Sequence, residues 1–372
     1  MAQRSPLPVR DGVNATRLRV PLTGPWTTVH DYVLETFGHI DHGGITARFE
    51  SGEVVDAAGR PLSTATPLGE VEFLWYYRSV TAEKPLPVTE EVLHEDEHLL
   101  AVDKPHFLPT TPAGRYVQES LLVRLRRRLD LPDLVPIHRL DRGTAGIVLF
   151  SKKPSTRGAY QLLFENRQVA KSYECISALP QGLHAEELTV RLPVTIRSRI
   201  TKTKGVLVSE RVPYGVADSG RRPHDRTRPA RGRRRTEPIP GANAYSLVEL
   251  LSTGEPAAAR MAGAGRSPLG HFRLTPHTGK THQLRIHMAM LGLGILHDRF
   301  YPELHDDAPD DFDRPLQLLA RALSFADPLT GEERAFTSRR KLAEEPRSSL
   351  AKSHHGASSR GLHEAANGGR LR

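Results

Sequence analysis

Between Arg221 and Arg235 the chain reads RRPHDRTRPARGRRR, with eight arginines, one aspartate and no aliphatic side chain larger than alanine. Such a segment cannot bury enough apolar surface to offset the entropy of ordering it. Any fold this chain adopts must therefore close around it as an insertion. The stretch from Arg339 to Arg372, with eight Lys or Arg against three Glu, has the same character. These segments carry +7 and +5 of a chain whose net charge is +9, so the remaining residues are net negative. The basic total favours nucleic acid or an anionic surface as partner, but its location makes it an accessory feature. Across 372 residues, 38% apolar content is enough for a real core. The single cysteine, Cys175, excludes an internal disulfide framework and a Cys-rich zinc module and fits a reducing, cytoplasmic setting. Apolar runs are too short for a membrane-spanning helix, and Met1 to Arg10 lacks the apolar core of a secretory signal.

Punctuation along the chain predicts a flexible lead-in over 1–23 and a small α/β module over 24–84. In that module Thr28 caps a helix bearing Val29, Tyr32, Val33 and Phe37. A second short helix carries Ile45 and Phe49, and strands follow at Glu53 to Val55 and Val71 to Tyr77 around an Ala58-Gly59 turn. A larger domain spans 92–338, with strands at Leu99 to Val102, Ile147 to Phe150, Lys171 to Ser177, Ala244 to Leu250 and His271 to Leu274. Its predicted helices cover 118–129, 155–167 and 281–291, and the insertion at 217–240 and the tail at 339–372 are read as disordered.

Three segments carry chemistry. In His138-Arg139-Leu140-Asp141-Arg142-Gly143-Thr144-Ala145-Gly146 a carboxylate sits beside two fixed cations in a loop before a buried strand. A guanidinium neighbour favours an ionised, nucleophilic carboxylate, although a structural Asp–Arg pair would look the same. In Thr278 to Met288, Gly279-Lys280-Thr281 lacks the upstream glycine of a phosphate-binding loop. His282 and His287 lie five apart, not the four of a zinc-protease helix. What remains is Arg285, able to fork onto a carboxylate. Tyr173, in Lys171-Ser172-Tyr173, would alone read as strand packing.

Together these three segments resemble the ordered motifs of the RluA-type pseudouridine synthases. Glu95-Asp96-x-x-Leu99 to Lys104-Pro105, Leu296-x-Asp298-x-x-Tyr301, and Leu316 to Ala320 with Phe325-x-x-Pro328 extend the resemblance over about residues 92–337. Ala145 stands where the family commonly has Ser. The resemblance implies an α+β pseudouridine synthase fold, a mixed, largely antiparallel sheet flanked by helices and loops, behind a small N-terminal module similar to an alpha-L type RNA-binding domain. It implies isomerisation of uridine in ribosomal or transfer RNA to pseudouridine, without metal or organic cofactor, by a monomer. In that reading Asp141, Tyr173 and Arg285 are catalytic, with Arg285 paired to Asp141. Ile286 packs beneath the uracil, Arg139 fills the stack left by the flipped nucleotide, and His138 and Thr144 complete the substrate site. Arg124, Arg127, Arg128, Lys280, Arg233 and Arg234 are the expected RNA-backbone contacts. Two other readings remain open: an inactive RNA-binding protein, and a metal-dependent hydrolase using His282, His287, His297 and Asp298.

Overall fold

The computed structural model describes residues 5–78, 83–180, 182, 185–202, 209–212, 241–255, 267–305 and 309–348. The insertion at 217–240, with Arg233 and Arg234, and the tail beyond 348 lie outside the described residues.

In chain order the elements are β1 (Thr16–Arg19), α1 (Val29–Glu50), β2 (Phe73–Tyr76), β3 (Glu91–Glu95), β4 (Leu99–Lys104), α2 (Leu121–Leu129) and β5 (Val135–Pro136). Then come β6 (Ala145–Ser151), α3 (Pro154–Glu165), β7 (Ala170–Ala178), α4 (Ala185–Arg191), β8 (Val194–Thr201) and β9 (Glu210–Val212). The chain closes with β10 (Ala244–Glu255), β11 (Leu269–Pro276), α5 (Gln283–Met290), β12 (Leu318–Ala326), β13 (Glu333–Thr337) and β14 (Arg347–Ser348).

Strands β3 to β14 form one 12-stranded sheet whose main path runs β3-β4-β6-β12-β7-β11-β10-β8-β9. Every pairing is antiparallel except β6 with β12. This is the expected α+β architecture. β6 is buried along its whole length, and its alternation explains why. Val148 and Phe150 meet Leu121 and Leu125 of α2, whereas Ile147 and Leu149 meet Tyr160 and Leu163 of α3. Burying each such side chain contributes roughly 1.5–3 kcal/mol, so the loop just before β6 hangs from a rigid base. Gly146 adopts φ +112, and a Cβ there would lie 2.2 Å from the Ala320 carbonyl oxygen. Only glycine lets β6 and β12 approach this closely. Ala145 is fully buried beside Ile176, Leu319 and Leu342, apolar neighbours that suit a methyl group.

Two expected boundaries move. The lead-in is not flexible throughout, because β1 pairs with β2 and Val20 enters the core of the N-terminal module. Val13 packs with Val117 and Val123 of the larger domain, and Arg126 of α2 donates to Gly12 O and Asn14 Oδ1. At the other end, residues 339–348 are not tail. Arg340 reaches Asp103, which is fully buried, and β14 pairs with β10. The two expected module helices are both present within α1, separated at Asp41, whose backbone is non-helical (φ -161, ψ 75). Asp41 accepts from Gly44 N and Arg48 Nη2 there, which fixes the bend. The expected strand at Glu53 to Val55 is reduced to isolated bridges at Val55. Among the described residues no helix is long and apolar enough to cross a membrane.

Burial holds three histidines neutral. It pulls His138 down to about 3, and His106 and His287 to about 4. Above pH 6.5 the folded and unfolded chains both carry neutral rings there. As pH falls below that, the unfolded chain binds protons that the folded chain refuses, so stability falls. Each site adds a slope of about 1.4 kcal/mol per pH unit. Denaturant titrations at pH 7, 6 and 5 are expected to show stability dropping below pH 6.5, before the paired Asp96 and Glu174, held at about 2 in the fold, add their own loss as the unfolded chain's carboxyls protonate at about pH 4. A flat profile would mean these rings take up protons in the fold.

Candidate active site

The loop between β5 and β6 delivers Asp141 into a cleft of about 650 Å³, which it shares with Arg139, Thr144, Tyr173, Lys280 and Arg285. Several contacts set this loop. The Thr144 amide donates to the Asp141 carbonyl, and Thr110 Oγ1 both accepts from Leu140 N and donates to Leu140 O. His138 stacks on Phe164 at 4.6 Å, and its Nε2 accepts the Leu149 amide proton. With that nitrogen occupied by backbone, His138 braces Arg139 more directly than it could bind substrate.

Lys104, at the end of β4, lies wholly buried beneath the loop. Its Nζ donates to the carbonyls of Pro105, Leu108 and Arg142. Burial pulls it down to about 7, against the pull of Asp141. In the sequence Lys104-Pro105 enters only as the end of a motif in the family resemblance, not as a site residue. The signal for more was a lysine following four apolar residues and an aspartate with no break.

Arg285 comes from the first turn of α5. Thr278 Oγ1 donates to Gln283 Oε1, and Gln283 Nε2 donates to Tyr245 O and Ser246 Oγ, which pins the start of that helix. Contrary to expectation, the principal partner of Arg285 is Asp298. Nε meets Oδ2 at 2.7 Å and Nη2 meets Oδ1 at 2.5 Å. Both side chains are nearly inaccessible to solvent. Asp298 also accepts from the amides of Phe300 and Tyr301, and the guanidinium lies over the Phe300 ring. The remaining guanidinium nitrogen, Nη1, faces Asp141 Oδ2 at 3.9 Å. Burial works against the Arg285 charge, but Asp298 and then Asp141 outweigh it and raise its pKa. Asp141 Oδ2 also lies 3.9 Å from His282 Nε2, while His282 Nδ1 bonds the Tyr301 hydroxyl. Among the described residues nothing hydrogen-bonds the Asp141 carboxylate, so it projects into the cleft with both oxygens available.

Tyr173 lies on β7, and the described residues give its hydroxyl no hydrogen-bond partner. Burial, and then the Asp141 charge, push its phenol above the ordinary value. Leu140, Leu284 and Leu318 supply the apolar walls. The sequence reading assigned that role to Ile286. Ile286 instead packs with Ile200 and Ala244, outside the cleft, because α5 starts at Gln283 after a left-handed His282. The apolar residue facing the cleft is therefore Leu284.

The expected RNA contacts divide. Arg139 and Lys280 line the cleft, are exposed and have no acidic partner among the described residues. Helix α2 does not offer the cationic face expected of it. Arg124 is bound to Glu119 and Glu90 and to the carbonyls of Leu86 and Val88, and Arg128 is bound to Glu90. Arg127 donates to Gln118, and none of the three borders the cleft. The hydrolase reading fails on geometry. His287 bonds Ser198, His297 bonds the Pro315 carbonyl, Asp298 is taken by Arg285, and no metal-binding cluster of His, Cys, Asp or Glu occurs among the described residues.

A mixed sheet thus presents a loop carboxylate to a buried arginine and a neutral phenol, beside two cations with no acidic partner among the described residues. The profile of the RNA pseudouridylate synthase family matches residues 98–290, essentially β4 through α5, and the chain belongs to that family. It is an RNA pseudouridine synthase. It is 26% identical over 275 residues to an RNA pseudouridine synthase of Synechocystis sp., covering 73% of this chain and 78% of the relative. It is 27% identical over 256 residues to the dual-specificity RNA pseudouridine synthase RluA of Haemophilus influenzae, covering 68% and 95%. It is 29% identical over 257 residues to tRNA pseudouridine synthase C of Pasteurella multocida, covering 66% and 89%.

Proposed function

We propose that the chain isomerises particular uridines of structured RNA, ribosomal or transfer, in the cytoplasm, with Asp141 as the carboxylate that acts at the glycosidic bond. The observation that carries this reading is the Asp141 carboxylate itself, without a hydrogen bond among the described residues and faced by Arg285 Nη1 at 3.9 Å. A uridine stacked within RNA cannot reach that carboxylate, so the nucleotide flips out at a cost of a few kcal/mol. Arg139, exposed at the rim, fills the vacated stack. The uracil lies against Leu284 and Leu318, whose apolar surfaces hold it without competing for its polar edge.

Asp141 then drives cleavage of the bond between N1 and the ribose, as nucleophile or as base. The freed uracil turns within the cleft and rejoins the ribose through C5. The C5 proton must then leave. Burial keeps the Tyr173 phenol protonated, so it relays that proton only by passing its own hydroxyl proton on, and the Asp141 carboxylate released by the rejoining, or water in the cleft, is the final acceptor. Arg285, oriented by Asp298, positions Asp141 through charge. The N1–C1′ and C5–H bonds break and the C5–C1′ and N1–H bonds form, with the C5 proton passing to solvent and N1 protonated in turn, so the sum is an isomerisation that needs no co-reactant. The test is incubation of the purified chain with RNA labelled as [5-³H]uridine. Tritium should be released in proportion to pseudouridine formed and should be insensitive to a chelator. Absence of release from both ribosomal and transfer RNA would refute the reading.

A further inference from the structure

The cleft does not end at the active site. It shares Arg167, Lys171, Pro276 and His277 with a second groove of about 1030 Å³. The shared residues form a notch between the turn leading from α3 into β7 and the loop leading from β11 into α5. Lys171 reaches along its edge: a Cβ on Gly279 would lie 3.9 Å from Lys171 Nζ, ordinary contact with the tip of a flexible side chain. Beyond it the groove runs over the opposite face of the sheet. Alternation along β7 puts Lys171 and Tyr173 on one face and Ser172 and Glu174 on the other. Glu174 pairs in register with Arg273 of β11, and both line the groove.

The charge pattern is one-sided. Arg167, Lys171 and Arg273 have no acidic partner among the described residues. Burial lowers the Lys171 pKa, and Arg167 lowers it further, so two cations crowd each other with no anion between them. The acid in the groove, Glu174, is already engaged by Arg321 at 2.7 Å and His271 at 3.3 Å, and Glu165 lies in the cleft on the outer turn of α3. Elsewhere in the domain cations such as Arg124, Arg142, Arg334 and Arg340 are matched to carboxylates. A row of unmatched cations that begins at the active site and leads away from it fits a chain of phosphates.

We propose that this groove binds the backbone of the RNA strand adjoining the target uridine, with Arg167, Lys171 and Arg273 as its phosphate contacts. The strand enters the cleft at Arg139 and Lys280, presents its uridine to Asp141, and leaves through the notch. This rests on the reading that a uridine in RNA occupies the cleft.

The test compares wild type with the Arg167→Ala/Arg273→Ala double variant, neither position being part of the catalytic machinery. Binding of a fluorescein-labelled oligouridylate of about 12 nucleotides is followed from about 50 mM to about 300 mM salt. Losing two single-strand phosphate contacts should flatten the slope of log K against log salt by about 1.4 and weaken binding on the order of tenfold at low salt. In tritium release KM should rise with kcat retained, and the Arg167→Lys/Arg273→Lys variant should restore both readouts. An unchanged slope, or a fall in kcat with KM unchanged, would overturn the proposal. If wild type bound the probe with the steeper slope yet released no tritium, the isomerase reading would fail while the groove stood as an RNA-binding surface.

Discussion

Asp141→Asn is expected to abolish tritium release, by on the order of 10⁴-fold or more, while RNA affinity stays within about twofold of wild type. The substitution keeps the shape of the side chain and removes its charge. An amide is neither a nucleophile nor a base at neutral pH, so both routes to glycosidic cleavage close together. Among the described residues the Asp141 side chain makes no hydrogen bond that the variant would break, and it is one-third exposed, so the fold should tolerate the change. Single-turnover assays with anisotropy on the same preparation separate the two quantities. Substantial residual turnover would move the chemistry to another group.

Asp298→Asn should have the largest effect on stability. The Arg285 side chain is only 6% exposed and that of Asp298 only 1%. Removing one partner of a buried ion pair leaves the other charge without compensation, at about 3–5 kcal/mol. For a chain of this size that corresponds to a fall in melting temperature of roughly 10 °C. Asp141, 3.9 Å away, recovers part of the loss by drawing Arg285 toward itself. That shift should also misplace the carboxylate, so kcat should fall even at temperatures where the variant is folded. Thermal unfolding with and without RNA gives the first quantity and saturating tritium release the second. An unchanged melting temperature would mean the pair contributes no net stability.

How much of this was legible in the sequence depends on how local each feature is. The Asp141 loop, the buried strand after it and the strand carrying Tyr173 follow from short patterns and stand where expected. The wall of the cleft does not. Helix α5 is only 8 residues long, and the left-handed His282 delays its start, so its faces cannot be set by periodicity alone. That is why Leu284, not Ile286, reaches the cleft. The arginines of α2 look outward on a helical wheel, but Glu90 lies more than thirty residues upstream. Only the folded chain brings it to Arg124 and Arg128. The same holds for Asp298, which follows Arg285 by 13 residues yet takes its Nε and Nη2. Composition marked residues 339–348 as tail because two long-range contacts, Arg340 with Asp103 and β14 with β10, leave no local trace.

The central claim is that this chain makes pseudouridine in RNA through Asp141. Its most direct test is pseudouridine mapping of the RNA from cells lacking the chain, complemented with either wild type or Asp141→Asn expressed at equal levels. A discrete set of sites should vanish in the deletion and return only with wild type. Return of those sites with Asp141→Asn, or the absence of any site that depends on the chain, would contradict the account.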